Sequence, residues 1–165
     1  MEIIIRDAEE GDVGKILEII NYEILNSTVV YDYNERTYEF QLNWLRQKKK
    51  DGMPVIVAES KIGVIGYGTF GIFRPFDGYR FSVEHSIYVD KEYRAHGMGK
   101  QLLQELITLA KKNGFHTMIA GVDASNERSI EFHKKFGFKE IGTFKEVGFK
   151  FDRWLDLLFL QLLLK

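Results

Sequence analysis

Residues Ser82 to Leu106, SVEHSIYVDKEYRAHGMGKQLLQEL, run from an apolar strand-like stretch into a helix-patterned one through a short polar loop holding Gly97 and Gly99. This junction narrows the possible folds more than any other part of the chain. A strand is expected over Phe81 to Val89 and a helix from Gly97 to Asn113. The first turn of such a helix has main-chain N–H groups without partners, and its dipole favours negative charge there. Glycine lets a ligand approach the backbone with no Cβ in the way. Arg94 and Lys100 add positive charge beside the loop. Phe115 to Val122 then reads as a strand reached through a helix, so it should run parallel to Phe81–Val89.

A glycine loop before a helix fits several phosphate sites. A P-loop requires Gly-x-x-x-x-Gly-Lys-Ser/Thr, but Gln101 follows Lys100. A dinucleotide fingerprint requires a third glycine where Leu102 stands, although Asp123 lies at a tolerable distance for a ribose-binding acid. An ordinary strand–helix connection needs no ligand at all.

The remaining chain reads as an α/β sequence. Glu2 to Arg6 is a first strand, and Asp7 or Asp12 can cap the helix that follows. Val13, Ile16, Leu17, Ile20 and Ile24 recur at helical spacing, ending near Asn26. A second helix, Thr37 to Lys49, places Tyr38, Leu42 and Leu45 on one face, with Lys48 to Lys50 as a solvated end. Strands are expected at Pro54–Ser60 and Val64–Phe73, paired antiparallel through the turn at Lys61-Ile62-Gly63. Leu102, Leu103, Leu106, Ile107 and Ala110 form the buried stripe of the helix after the glycine loop. Ser125 or Asn126 caps a short helix to Phe136. Phe138–Val147 and Lys150–Leu164 are the last strands, turning at Gly148 and leaving the C-terminal strand as an open edge. With 165 residues and no linker or repeat, one domain over 1–165 is expected.

Composition removes several classes of function. The net charge of −1 offers no basic field for nucleic acid. Cysteine is absent, so disulfides, thiolate nucleophiles and cysteine metal sites are excluded, and no pair of histidines has helical metal spacing. The N-terminal MEIIIRDAEEGD does not read as a signal peptide, and the apolar LDLLFLQLLLK is too short to span a bilayer. A cytoplasmic protein without membrane or metal is the expectation.

Two motifs carry a family resemblance. Arg94-Ala95-His96-Gly97-Met98-Gly99 matches the Arg/Gln-x-x-Gly-x-Gly/Ala signature of the GNAT N-acetyltransferases, and Asn126 to Phe138 resembles their Asn-x-x-Ala-x-x-Leu-Tyr-x-Lys-x-Gly-Phe. The order of elements resembles that family over the whole chain. Within it, Phe73 to Val89 (FRPFDGYRFSVEHSIYV) and Val147 to Asp156 (VGFKFDRWLD) are similar to the phosphinothricin and methionine sulfoximine/sulfone acetyltransferases. The chain departs from many members by His133, where they carry Tyr.

The resemblance implies a mixed, mostly antiparallel sheet with a splayed parallel pair. It implies acetyl-CoA as co-substrate and a small amino-acid analogue as acceptor. Ala95, His96, Gly97, Met98, Gly99 and Lys100 would hold the pyrophosphate beside Arg94, and Ile87, Tyr88 and Val89 would bond the pantetheine arm and the thioester end. Asn126 would contact the arm, with Lys135 a further candidate on the cofactor. A homodimer is implied by the relatives' habit. Transfer to a protein N-terminus or lysine, and an acyl-CoA-binding module without catalysis, are the alternatives.

An amine acceptor is protonated at neutral pH and needs a base. Glu84, alone among apolar neighbours, is the candidate, unless strand alternation turns it to solvent with Ser86 and Tyr88. His133 could protonate the departing thiolate, or be a half-buried helix residue. His85 should face the opposite side of the strand. Arg74 and Arg80 suit a carboxylate or phosphinate, and Asp77 an ammonium group, across the Gly78-Tyr79 turn. Tyr31 and Tyr33 are candidates for the acceptor pocket, and Trp44 for the core.

Overall fold

A computed structural model describes residues 1–165. Seven strands form one sheet in the order β1-β2-β3-β4-β5-β7-β6. They are β1 (Ile4–Asp7), β2 (Val55–Ser60), β3 (Gly63–Ile72), β4 (Ser82–Val89), β5 (Thr117–Asp123), β6 (Lys139–Lys150) and β7 (Arg153–Leu163). Four helices complete the chain: α1 (Val13–Asn26), α2 (Tyr38–Lys50), α3 (Met98–Lys112) and α4 (Glu127–Lys134). All neighbouring strands are antiparallel except β4 and β5. The mixed sheet with a parallel pair is therefore as expected from the strand–helix–strand order.

Each face of the sheet buries its own core. Met98, Leu102, Leu103, Leu106, Ile107 and Ala110 of α3 pack on Ile56, Phe70, Val83, Met118 and Leu160. Burying each large side chain of that stripe stabilises the fold by about 2 kcal/mol. On the other face Val13, Ile16, Ile19, Ile20 and Ile24 of α1 meet Leu45, Val57 and Tyr67.

The helix faces differ in detail from the periodicity. Ile19 is buried in α1 and Leu17 only partly. In α2 the buried pair is Gln41 and Leu45, while Tyr38 is exposed. Lys48 is not a solvated end: its Nζ donates to Phe70 O at 2.6 Å, and burial lowers its pKa to about 8. Asp12 does not cap α1, because its carboxylate pairs with Arg6 at 2.8 Å. Thr37 and Asn126 do cap, accepting from Phe40 N and Ser129 N at 3.1 Å each.

The last hairpin also differs. The chain turns at Phe151 and Asp152, both at positive φ (54° and 57°), and not at Gly148. That pair of left-handed residues supplies the twist a two-residue hairpin needs. Gly148 lies inside β6, opposite Leu155. The edge at this end of the sheet is consequently β6, with β7 held between β5 and β6.

Candidate functional site

β4 and β5 pair only over Ser82–Glu84 and Thr117–Ile119, then separate. Hydrogen-bonding direction alternates along a strand. Phe81 O accepts from His116 N and Thr117 N, toward β5, whereas Ser82 O accepts from Phe73 N, away from it. By that alternation the amides of His85, Ile87 and Val89 turn into the gap, and Tyr88 pairs with Tyr67 of β3. The gap opens into a cleft of about 430 Å³ whose lining includes Tyr31, Glu84, Ser86, Asp123 and His133. It adjoins a second cleft of about 560 Å³ along Ile87, Val89 and the glycine loop, with Asn126 and Phe132 bordering both.

The second cleft ends at the loop before α3. Ala95 and Gly97 sit at φ of 67° and 83°, and none of the main-chain N–H groups of Ala95 to Lys100 donates to a protein acceptor. Six consecutive free donors at a helix start, with Lys100 and Arg128 at the rim, are a local arrangement that can hold an anion. Arg94 lines this cleft, but its guanidinium is bonded to the buried Glu23 of α1 and lies over the Tyr22 ring. His96 turns its Nδ1 back toward Arg94 O at 2.9 Å and does not line the cleft. Neither does Lys135, which is exposed beyond the end of α4. Arg128 was not apparent from the sequence because nothing distinguishes it from other helix-surface cations.

In the first cleft Glu84, Ser86 and Tyr88 share a face of β4, but that face is covered rather than solvated. Burial alone raises the Glu84 pKa, with no hydrogen bond contributing. A Cβ on Gly121 would lie 3.1 Å from Glu84 Oε2, so the glycine across the gap makes the space the carboxylate occupies. A glycine inside a strand is a sequence sign of such close approach.

His85 faces the other side of β4, against His133 and Phe138. The two Nε2 atoms are 3.1 Å apart, and His133 Nδ1 is 2.7 Å from Ser129 O. A carbonyl only accepts, so His133 carries its proton on Nδ1 and its Nε2 accepts from His85. Burial lowers both pKa values, that of His85 to about 3 with His133 contributing. Neutral His133 thus has no free proton aimed at a leaving group. Its geometry departs from the general-acid expectation because both nitrogens are already engaged.

A strap over residues 27–33 roofs the cleft. Lys150 Nζ, buried at the end of β6, donates to Ser27 O at 2.7 Å and Val30 O at 2.6 Å. Thr28 Oγ1 donates to Asp123 Oδ2 at 2.5 Å, and Tyr33 OH to Phe149 O. Tyr33 therefore holds the strap and does not line the cleft. Tyr31 does, with a buried hydroxyl that has no partner. Its ring lies directly on Gly148. Trp44 packs in the core, edge-on to Tyr67 at 6.2 Å.

The turn 74–80 is not brought to the cleft. Arg74 lies over the Tyr79 ring and Arg80 over Phe81, at 5.9 and 4.7 Å, and Asp77 and Gly78 are exposed between them. β4 enters the sheet at Ser82, so this turn precedes the end of β4 at which the strands part. No group of three or more His, Asp or Glu side chains is placed to hold a metal ion.

The sequence profile of the acetyltransferase (GNAT) family matches residues 19–138. The L-methionine sulfoximine/L-methionine sulfone acetyltransferase of Pseudomonas aeruginosa is 41% identical over 163 residues, covering 98% of this chain and 95% of that one. The crystal structure of an N-acetyltransferase from Staphylococcus aureus Mu50 superposes with a TM-score of 0.98 at 47% identity, covering all of both chains. A Salmonella typhimurium acetyltransferase structure with its cofactor acetyl-CoA superposes at 0.96 with 39% identity, covering 99% of this chain and 94% of that one.

Proposed function

We propose a reaction from one premise: the chain belongs to the acetyltransferase (GNAT) family. It transfers the acetyl group of acetyl-CoA to the α-amine of a small amino-acid analogue of the methionine sulfone, methionine sulfoximine or phosphinothricin type. The observation that carries the reading is the meeting of the two clefts at Ile87 and Tyr88, with Glu84 on the first of them. One is built for a diphosphate and the other holds a desolvated carboxylate.

Bound acetyl-CoA supplies an activated acyl group as a thioester. The N–H groups of Ala95 to Lys100 bind its diphosphate, and the amides of Ile87 and Val89 orient the arm toward the gap. Asn126 lines both clefts where the arm would pass. Glu84 takes a proton from the acceptor ammonium, and burial, which raises its pKa, makes it a stronger base for that task. His133, neutral and doubly bonded, keeps α4 registered against β4. The roof formed by Tyr31 and the strap favours an enclosed small molecule over a polypeptide acceptor.

A homodimer belongs to the same proposal. The edge strand β6 exposes Ile141, Phe144, Val147 and Phe149, a surface that a second copy can cover. No helix is long and apolar enough to cross a membrane, and a cytoplasmic site of action is proposed with the activity.

The test is a thiol-release assay with acetyl-CoA against amino acids, their sulfone, sulfoximine and phosphinate analogues, and a peptide. Turnover of the small analogues and not of the peptide is expected. Glu84→Gln should lower turnover by about 100-fold or more while leaving acetyl-CoA binding within about twofold. Unchanged turnover removes Glu84 from the mechanism.

A further inference from the structure

One buried carboxylate has no part in the proposed reaction. Glu23, in the last turn of α1, is 5% exposed. Its two oxygens are held from opposite ends of the site. Oε1 accepts from Arg94, the residue that opens the glycine loop. Oε2 accepts from Ser27 Oγ at 2.6 Å, where α1 stops and the strap begins. Arg94 is its one ion-pair partner. A carboxylate so far from water depends on such partners, and removing one is costly.

Both attachments continue beyond Glu23. Arg94 is followed directly by the free N–H groups of Ala95 to Lys100, so whatever fixes that loop also fixes the guanidinium. On the other side, Ser27 Oγ accepts from Val29 N at 3.3 Å. Ser27 O shares the Lys150 ammonium with Val30 O, at 2.7 and 2.6 Å. A shift of Ser27 therefore carries Val29 and Val30 with it, and Tyr31 of the roof follows them. Burial lowers the Lys150 pKa, and the charges of Asp32 and Glu23 oppose it, so Glu23 also supports this clamp from a distance. The strap's other anchors lead elsewhere: Thr28 to Asp123 of β5, and Tyr33 to Phe149 of β6.

We propose that Glu23 is a positioning residue that couples the two clefts: it ties the glycine loop to the strap, so that an anion held at Ala95 to Lys100 steadies the roof over Glu84. Before binding, the loop has six unpaired donors and one end tied to Glu23. A diphosphate on those donors fixes the loop backbone, and with it the cation that neutralises Glu23. The carboxylate then meets Ser27 in one place, and Lys150 passes that constraint to Val30. A neutral amide at position 23 loses the charge-assisted bond to Arg94. The strap then keeps its anchors on Asp123, Phe149 and Lys150 but no longer answers to the loop.

This inference rests on the proposed binding of acetyl-CoA, and the experiment separates the two. The chain has no cysteine, so Val30→Cys supplies a single thiol on the strap. Val30 lines neither cleft, and acetyl-CoA has no free thiol. The rate of alkylation by iodoacetamide, followed by intact mass, reads opening of the strap. With no acceptor present, saturating acetyl-CoA is expected to slow labelling about fivefold or more. With Glu23→Gln or Ser27→Ala added, the slowing at saturation should fall below about twofold. If Glu23→Gln does not fold, Ser27→Ala decides alone. Slowing in the variants as large as in their absence shows a merely structural anchor and overturns the coupling. Labelling that acetyl-CoA leaves unchanged, although calorimetry shows it bound, overturns it too. A wild-type protein that binds no acetyl-CoA takes down the transfer reading and the coupling with it.

Discussion

Gly148→Ala tests the roof of the acceptor cleft with a single methyl group. A Cβ built on Gly148 lies 2.6 Å from Tyr31 Cε2, 2.9 Å from Cδ2 and 3.2 Å from Cζ. Non-bonded carbons rest at about 3.5–4.0 Å, so the ring must retreat by about 1 Å or β6 must bow by as much. Neither is free to move. Val30, next to Tyr31, is held by Lys150, and Tyr33 is bonded to Phe149 O. Gly148 is not among the positive-φ residues, so the cost is steric and not conformational. Overpacking of this kind costs ~1–3 kcal/mol, which for a chain of this size lowers Tm by roughly 2–12 °C. Because Tyr31 lines the cleft, the KM for the acceptor should rise as well, with the KM for acetyl-CoA unchanged. Thermal and urea unfolding give the first number and steady-state kinetics the second. In a Tyr31→Ala background the same substitution has nothing to strike, and its penalty should fall below ~0.5 kcal/mol. A Gly148→Ala protein as stable as wild type, or a loss that persists without the Tyr31 ring, refutes the reasoning.

Gly97→Ala is expected to cost ~1 kcal/mol, since φ is 83° there and no atom lies within 4 Å to clash. Its larger effect should be on acetyl-CoA, whose Kd by calorimetry rises as the N–H array is disturbed, with acceptor KM unaffected. The buried histidine pair makes stability depend on pH. Burial holds the His85 pKa at about 3, against about 6.5 in the unfolded chain, so below pH 6.5 protons bind the unfolded state first. Stability contributed by neutral His85 is therefore complete above pH ~6.5 and is lost as the pH falls toward 3, by about 2 kcal/mol between pH 7 and pH 5. Urea titrations at the two pH values should show this for the wild type and a smaller difference for His85→Phe. An equal pH dependence in both would place the titrating group elsewhere.

What the chain reveals by itself is local. The helical stripe Leu102-Leu103-Leu106-Ile107-Ala110, the turn at Gly63 and the glycine loop at 95–100 all follow from periodicity and backbone preference. Those depend on neighbours in sequence, and the structure has them in place. The parallel pairing of β4 with β5 follows too, because a helical crossover leaves little choice. Glu84 stands out as an acid among apolar residues, but only the covered face makes it desolvated.

The rest was decided by which distant segments meet. Strand alternation alone leaves it open whether the Glu84 face is wet, and the strap at 27–33 answers that through Lys150, some 120 positions away. Arg74 and Arg80 look like anion ligands in sequence, yet the turn that carries them precedes the end of β4 at which the strands part. Gly148 reads as a turn, although a ring from another segment is what requires it. Sequence neighbours set backbone conformation through interactions a few residues long. Desolvation and charge pairing are properties of the assembled surface, so the site's electrostatics exist only once the strands have separated and the strap has closed over them.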